Sequence, residues 1–209
     1  MQITKYLHSC LLVEDKGKAV LIDPDMFSYQ EKVLNAEKLS KLDYILITHS
    51  HFDHMSIPLI KELLEKFPKT VIISNDEVVA DLAKEGIKAQ SKGDENIKII
   101  PVKHEKMFGQ DKMSENSQFD VFGRLTHPGD SLSSTSTKEI LALPISAPWG
   151  STTWAVEVAL KLKPKIIIPI HDYLLKDQIN QMFSERLAQY FKEKGIDFKL
   201  MQKGEKIEI

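Results

Sequence analysis

The chain has 209 residues, of which 42% are hydrophobic and 28% charged, with a formal net charge of −2 and a single cysteine. That length allows one sizeable core or at most two small ones, and the proportions are ordinary for a soluble globular protein. Scattered Lys and Arg count against a nucleic-acid binder that works through backbone charge, and the lone Cys10 excludes an internal disulfide and a Cys-based zinc site. The polar start M-Q-I-T-K-Y-L-H lacks the pattern of a signal peptide. No apolar run approaches the roughly 18 residues that span a bilayer, so a cytoplasmic location and no membrane partner are expected.

In chain order, β-rich runs at 3–7, 10–14 and 19–22 read as a meander or hairpin that ends on Asp23-Pro24. Residues 28–41 are polar with apolar punctuation and read as a short helix or a loop. The run D-Y-I-L-I-T at 43–48 is a buried strand. Ser56-Ile57-Pro58 offers a helix start, with Ser as the cap and Pro in the first turn, and Leu59, Ile60, Leu63, Leu64 and Phe67 follow at helical spacing.

A strand at 71–74, a helix at 76–85 closed by Gly86 and a strand at 97–102 continue the alternation that α/β layering requires. Residues 103–117 are polar and aperiodic, as in a functional lid or a disordered loop, with Phe108 the best lid candidate. Strands are expected at 118–125, 139–144 and 165–170, and a helix at 152–162. A long helix from 174 to 194 places Leu175, Ile179, Met182, Phe183, Leu187, Tyr190 and Phe191 on one core-facing stripe. Without repeats or a Gly/Ser linker, residues 1–209 read as a single domain.

The strand at 43–48 runs directly into H-S-H-F-D-H, which puts four candidate metal ligands within six positions of a chain holding seven histidines. Imidazole and carboxylate suit Zn²⁺ and its first-row neighbours. Without a cation, each ring would need a partner, and partial protonation would set like charges together. Three further histidines, His104, His127 and His171, follow strand-like runs, where layered α/β proteins assemble their sites.

These pieces resemble the metallo-β-lactamase superfamily of metal-dependent hydrolases. The matching segments are Asp23-Pro24, T-H-S-H-F-D-H at 48–54, His104, G-D-S at 129–131 and P-I-H-D at 169–172. The opening Y-L-H-S-C-L-L-V-E and the Gly-Asp-Ser element look closest to the branch containing the ascorbate-6-phosphate lactonase. The resemblance implies a four-layer αβ/βα sandwich of the α/β (α+β) class with metals at one edge of the sheets. It implies that His49, His51 and His104 hold one ion, that Asp53, His54 and His171 hold another, and that Asp130 bridges them. Asp23 and His8 become outer partners of the ligands. In many relatives the third motif is His-Thr-Pro-Gly-His, which His127-Pro128-Gly129-Asp130 partly matches; His104 is preferred because Asp130 then supplies the bridging carboxylate.

Two divalent ions, zinc first with manganese, iron or nickel as alternatives, would ionise a water held between them. Asp53 would orient that hydroxide or take its proton, and His127 or His8 would donate to the oxyanion. The expected reaction is hydrolysis of an ester-like bond (ester, lactone, amide or phosphodiester) in a small molecule. Met26, Phe27, Phe108, Trp149 and Trp154 lie near strand ends and are weighed as substrate contacts against ordinary packing. Iron-dependent redox chemistry, a nuclease and a non-catalytic metal protein are the competing readings, and oligomeric state is left open.

Overall fold

The computed structural model describes residues 1–109 and 111–209. Sheet A runs in the order β12 (Lys206–Glu208), β1 (Gln2–Lys5), β2 (Leu11–Asp15), β3 (Lys18–Ile22), β4 (Tyr44–Leu46) and β5 (Val71–Ile73). Sheet B runs β11 (Asp197–Phe198), β10 (Ile166–Ile170), β9 (Ile140–Pro144), β8 (Leu125–His127), β7 (Asn116–Val121) and β6 (Ile97–Val102). β3, β4 and β5 are parallel, as are β8, β9 and β10, so several strand ends in each sheet point the same way.

The sheets stack because their strands are apolar on both faces, and alternate side chains go to different layers. Leu11, Val13, Val20, Ile22 and Leu46 of sheet A meet Phe119, Val121, Ile140, Ala142 and Ile168 of sheet B in a central core. Leu12, Leu21 and Ile45 point outward onto α2 (Ile57–Lys66) and α3 (Asp76–Lys84), against Leu59, Ile60, Leu63, Val78 and Leu82. On the far side, Leu141, Leu143 and Ile167 pack on Ala155 and Ala159 of α4 (Thr152–Leu162) and on Leu187 and Phe191 of α5 (Asp177–Glu193). The outcome is the expected four-layer αβ/βα sandwich, the metallo-β-lactamase fold.

Ser56 caps α2 as read from sequence, its Oγ accepting from Leu59 N. Several other expectations change. The single strand expected at 118–125 is the hairpin β7–β8, because Phe122 and Gly123 both take positive φ (52° and 69°) and Arg124 N closes the turn on Val121 O at 3.0 Å. α1 (Met26–Gln30) is a five-residue helix capped by Asp25, where only 28–41 was read as a helix or a loop. α5 begins at Asp177 rather than 174, and of its apolar stripe only Leu187 and Phe191 are buried, whereas Ile179, Met182, Phe183 and Tyr190 are exposed. Gln110, inside the 103–117 segment read as a lid, lies outside the described residues; Phe108 is exposed and Asn116–Ser117 belong to β7. Among the described residues no helix is long and apolar enough to cross a membrane.

Candidate metal centre

Strand ends and turns of both sheets converge at one edge. Sheet A supplies His8 from the β1–β2 turn, Asp23 after β3, and His49, His51, Asp53 and His54 after β4. Sheet B supplies His104 after β6, Asp130 after β8 and His171 after β10. The donor atoms fall into two groups, each within 4.8 Å of one another: His49, His51, His104 and Asp130; and His8, Asp53, His54 and His171. All seven residues read as ligands are therefore brought together, and His8 joins them.

Asp130 stands between the groups. Its Oδ1 lies 3.0 Å from His54 Nε2 and 3.4 Å from His171 Nε2, whereas Oδ2 lies 3.6 Å from His104 Nε2 and 3.8 Å from His49 Nε2. None of these four Nε2 atoms, nor Asp130 Oδ1, has a hydrogen-bond partner among the described residues, although all are buried. A buried polar atom left unpaired costs about 1–3 kcal/mol. Two donors each roughly 2.0–2.2 Å from a shared tetrahedral ion stand about 3.4 Å apart. The spacings and the unpaired atoms both fit metal ligation.

The other ring nitrogens are held from behind. His54 Nδ1 donates to Asp23 Oδ2 at 2.7 Å, His104 Nδ1 to Glu105 O at 2.6 Å and His171 Nδ1 to Ser146 O at 2.7 Å. Thr48 gives its hydroxyl proton to Asp23 Oδ2 at 2.8 Å, so its oxygen accepts from His49 Nδ1 at 3.1 Å. Each contact fixes the tautomer that turns the Nε2 lone pair inward. His51 is different: Nε2 meets Ser114 Oγ at 3.3 Å, which leaves Nδ1 to offer. Gly129 permits the close approach of the Asp130 loop, since its φ is 59° and a Cβ there would collide with Asn116 Oδ1 and Thr48.

Charge follows the same geometry. Burial works against protonation of His54, but Asp130 and Asp23 on either side hold its pKa well above the usual imidazole value. Burial pushes the Asp130 carboxyl up, yet His54, His171 and His49 outweigh it and hold the group well below the usual range. Burial pulls His49 well below its ordinary value, with His54 adding to the effect.

His127 corrects an expectation. Its Nε2 donates to Ser9 O at 2.9 Å and its Nδ1 accepts from Gly129 N at 3.3 Å, and burial keeps it neutral by lowering its pKa. Neither nitrogen is left for an oxyanion, so His127 ties the Asp130 loop to the β1–β2 turn instead of contacting substrate. The partial match of 127–130 to a His-Thr-Pro-Gly-His motif is resolved in the same way: His104 sits in the ligand group and His127 does not.

Among the aromatic residues, Trp149 donates from Nε1 to Asp130 Oδ2 at 2.8 Å, with its ring 5.2 Å from that of His171. Phe27 sets its edge on His8 (5.6 Å) and lies beside Phe52 (5.7 Å) and Tyr173 (4.5 Å), forming an aromatic wall beside the second group. Thr48, Phe52 and Tyr173 were not singled out from sequence. Their one signal is adjacency, each falling within two residues of a candidate ligand.

A model of the beta-lactamase superfamily domain matches residues 2–171. The chain belongs to the metallo-β-lactamase superfamily. Within it, a UPF0173 protein of Pyrococcus abyssi is 31% identical over 190 residues, covering 82% of this chain and 83% of the relative. That match places the chain in the UPF0173 family, whose members are named metal-dependent hydrolases. Protein Rv0786c of Mycobacterium tuberculosis is 30% identical over 201 residues, 90% of this UPF0173 chain and 92% of its own. Igni18, a metallo hydrolase from Ignicoccus hospitalis, shares the fold with a TM-score of 0.75 at 19% identity, covering 99% and 97% of the two chains.

Proposed function

We propose that this chain hydrolyses an ester-like bond of a small molecule, and that it does so with two divalent ions. The observation that carries the reading is Asp130, each of whose oxygens faces a different set of unpaired imidazole nitrogens. His49, His51 and His104 would hold one ion and Asp53, His54 and His171 the other, with Asp130 available to both groups. Borderline cations suit this donor set, with zinc first among them. When bound, such a pair lowers the pKa of water toward neutrality and polarises a carbonyl or phosphoryl oxygen.

The chain's own groups then have distinct tasks. Asp53 is partly exposed and its carboxyl is held below the usual range: burial pushes it up, but His8 and His54 outweigh that. It therefore stays ionised at neutral pH, which suits it to orient the attacking water or take its proton. Asp23 and the Glu105 and Ser146 carbonyls keep the ligand rings aimed. Phe27, Phe52 and Tyr173 give the site an apolar side on which the substrate rests.

The test is elemental analysis of protein purified under controlled metal supply, followed by an esterase, lactonase and phosphodiesterase panel on wild type and Asp53→Ala. Turnover by wild type should fall about 10²- to 10⁴-fold in the variant. Equal rates would remove Asp53 from the reaction, and stoichiometric redox-active iron would move the reading to oxygen chemistry.

A further inference from the structure

We propose that the outer face of α5 binds α5 of a second copy of this chain, the two helices lying antiparallel about a two-fold axis. The face is apolar and open: Ile179 is 41% exposed, Phe183 40% and Tyr190 39%, with Met182 beside them at 46%. The helix turns Ser184, Leu187 and Phe191 inward, so these outer side chains add nothing to the core. Large apolar groups gathered on one strip of surface mark a place of association.

The spacing of this face is that of a helix-pairing seam. Lys176, Ile179, Phe183, Arg186, Tyr190 and Glu193 succeed one another at intervals of three, four, three, four and three residues, and all six are exposed. That alternation is the 3.5-residue repeat that keeps one stripe turned to a partner helix along its whole length.

The order of the six residues selects the partner and its direction. About the midpoint between Ser184 and Glu185, the stripe is its own complement. In an antiparallel pair crossing there, Lys176 meets Glu193 of the partner subunit, Ile179 meets the partner's Tyr190 and Phe183 meets the partner's Arg186. Each contact occurs twice, as an isologous interface requires. An ammonium then faces a carboxylate, and a guanidinium lies on an aromatic ring. A parallel pair in register would instead set each of the three charges against its own like, which repulsion opposes. Within the chain, Lys176, Arg186 and Glu193 form no ion pair among the described residues, so their charges are available for this use.

A lipid surface fits this face less well. Helices that lie on membranes carry a basic polar face, whereas Glu193 sits on the seam itself and Asp177 and Glu185 on the same helix. α5 has 17 residues and is about 25 Å long. One helix pair of that length buries less than the roughly 1,200 Å² of a tight complex, so pairing is expected at micromolar concentration. The proposal is independent of the metal-dependent reading, since α5 carries none of the candidate ligands.

The test is equilibrium sedimentation of the full chain from about 1 to about 500 μM, for wild type, Lys176→Glu, Glu193→Lys and the two exchanges combined. Wild type should dimerise within that range. Each single variant sets like charges together at both symmetric contacts and should weaken the dimer about 10-fold. The combined variant should recover wild-type affinity, because the pairing is restored with its signs reversed. Disulfide formation reads the register: Ile179→Cys with Tyr190→Cys should oxidise to a covalent dimer. Ile179→Cys alone should not, since its two copies stand about 16 Å apart along the seam. Cys10 is buried and does not compete. A monomer throughout the range overturns the proposal, as does a dimer that the single variants leave unchanged or that the combined variant fails to restore. Monomers that bind phosphatidylglycerol vesicles would assign the face to a membrane and overturn it as well.

Discussion

The β1–β2 turn and the end of β8 each carry one buried histidine, and the two are treated in opposite ways. At the end of β8, His127 has both nitrogens paired with backbone. In the turn, His8 has neither nitrogen paired and sits against Asp53 and His171. Burial is nearly the same in both, so burial alone says nothing about their roles. Accounting for each nitrogen's partner separates framework from ligand.

The comparison can be broken at the support of the turn. Asp25 Oδ2 accepts from Ser28 Oγ at 2.6 Å, and that hydroxyl in turn accepts from Leu7 N. Burial pushes the Asp25 pKa up to about 7. A carboxyl raised in the folded state contributes stability below its unfolded pKa and loses it as pH rises through the folded value. From about pH 4 to about pH 8, wild type should lose about 4 kcal/mol relative to Asp25→Asn, which stays neutral throughout. Urea unfolding of both proteins across that range checks it, and parallel curves would show that Asp25 does not titrate near 7.

A smaller effect is expected at the other region. His127→Phe should cost about 3 kcal/mol, because Ser9 O and Gly129 N lose their partner in a buried setting. Bound metal per folded molecule should stay at the wild-type value, which elemental analysis of the refolded variant would read. Loss of metal without loss of stability would reverse the roles assigned to the two histidines.

The smallest expected change sharpens the comparison from behind the site. Asp23 accepts from Thr48 N, Thr48 Oγ1 and His54 Nδ1. Asp23→Asn should weaken the second ion about 10- to 100-fold, as loss of an outer partner does, and weaken the first less, through Thr48 and His49. Competition against a chromophoric chelator measures both steps.

Much of the layering was legible because strands apolar on both faces have to be covered on both sides. What escaped was local or short. β11 and β12 are two and three residues long, too brief for a period to show. The Phe122-Gly123 turn sits in a run whose apolar side chains mask it, and the α5 stripe is apolar without being covered.

By itself the sequence determined the contiguous half of the site. Six residues that follow a buried strand cannot scatter, so His49, His51, Asp53 and His54 had to share one edge. Which distant histidines meet them depends on where strands of the other sheet end and on which backbone groups claim each ring. Only the tertiary structure therefore turned His127 to the backbone and left His8 facing Asp53. Composition and spacing along the chain encode none of those three-dimensional pairings.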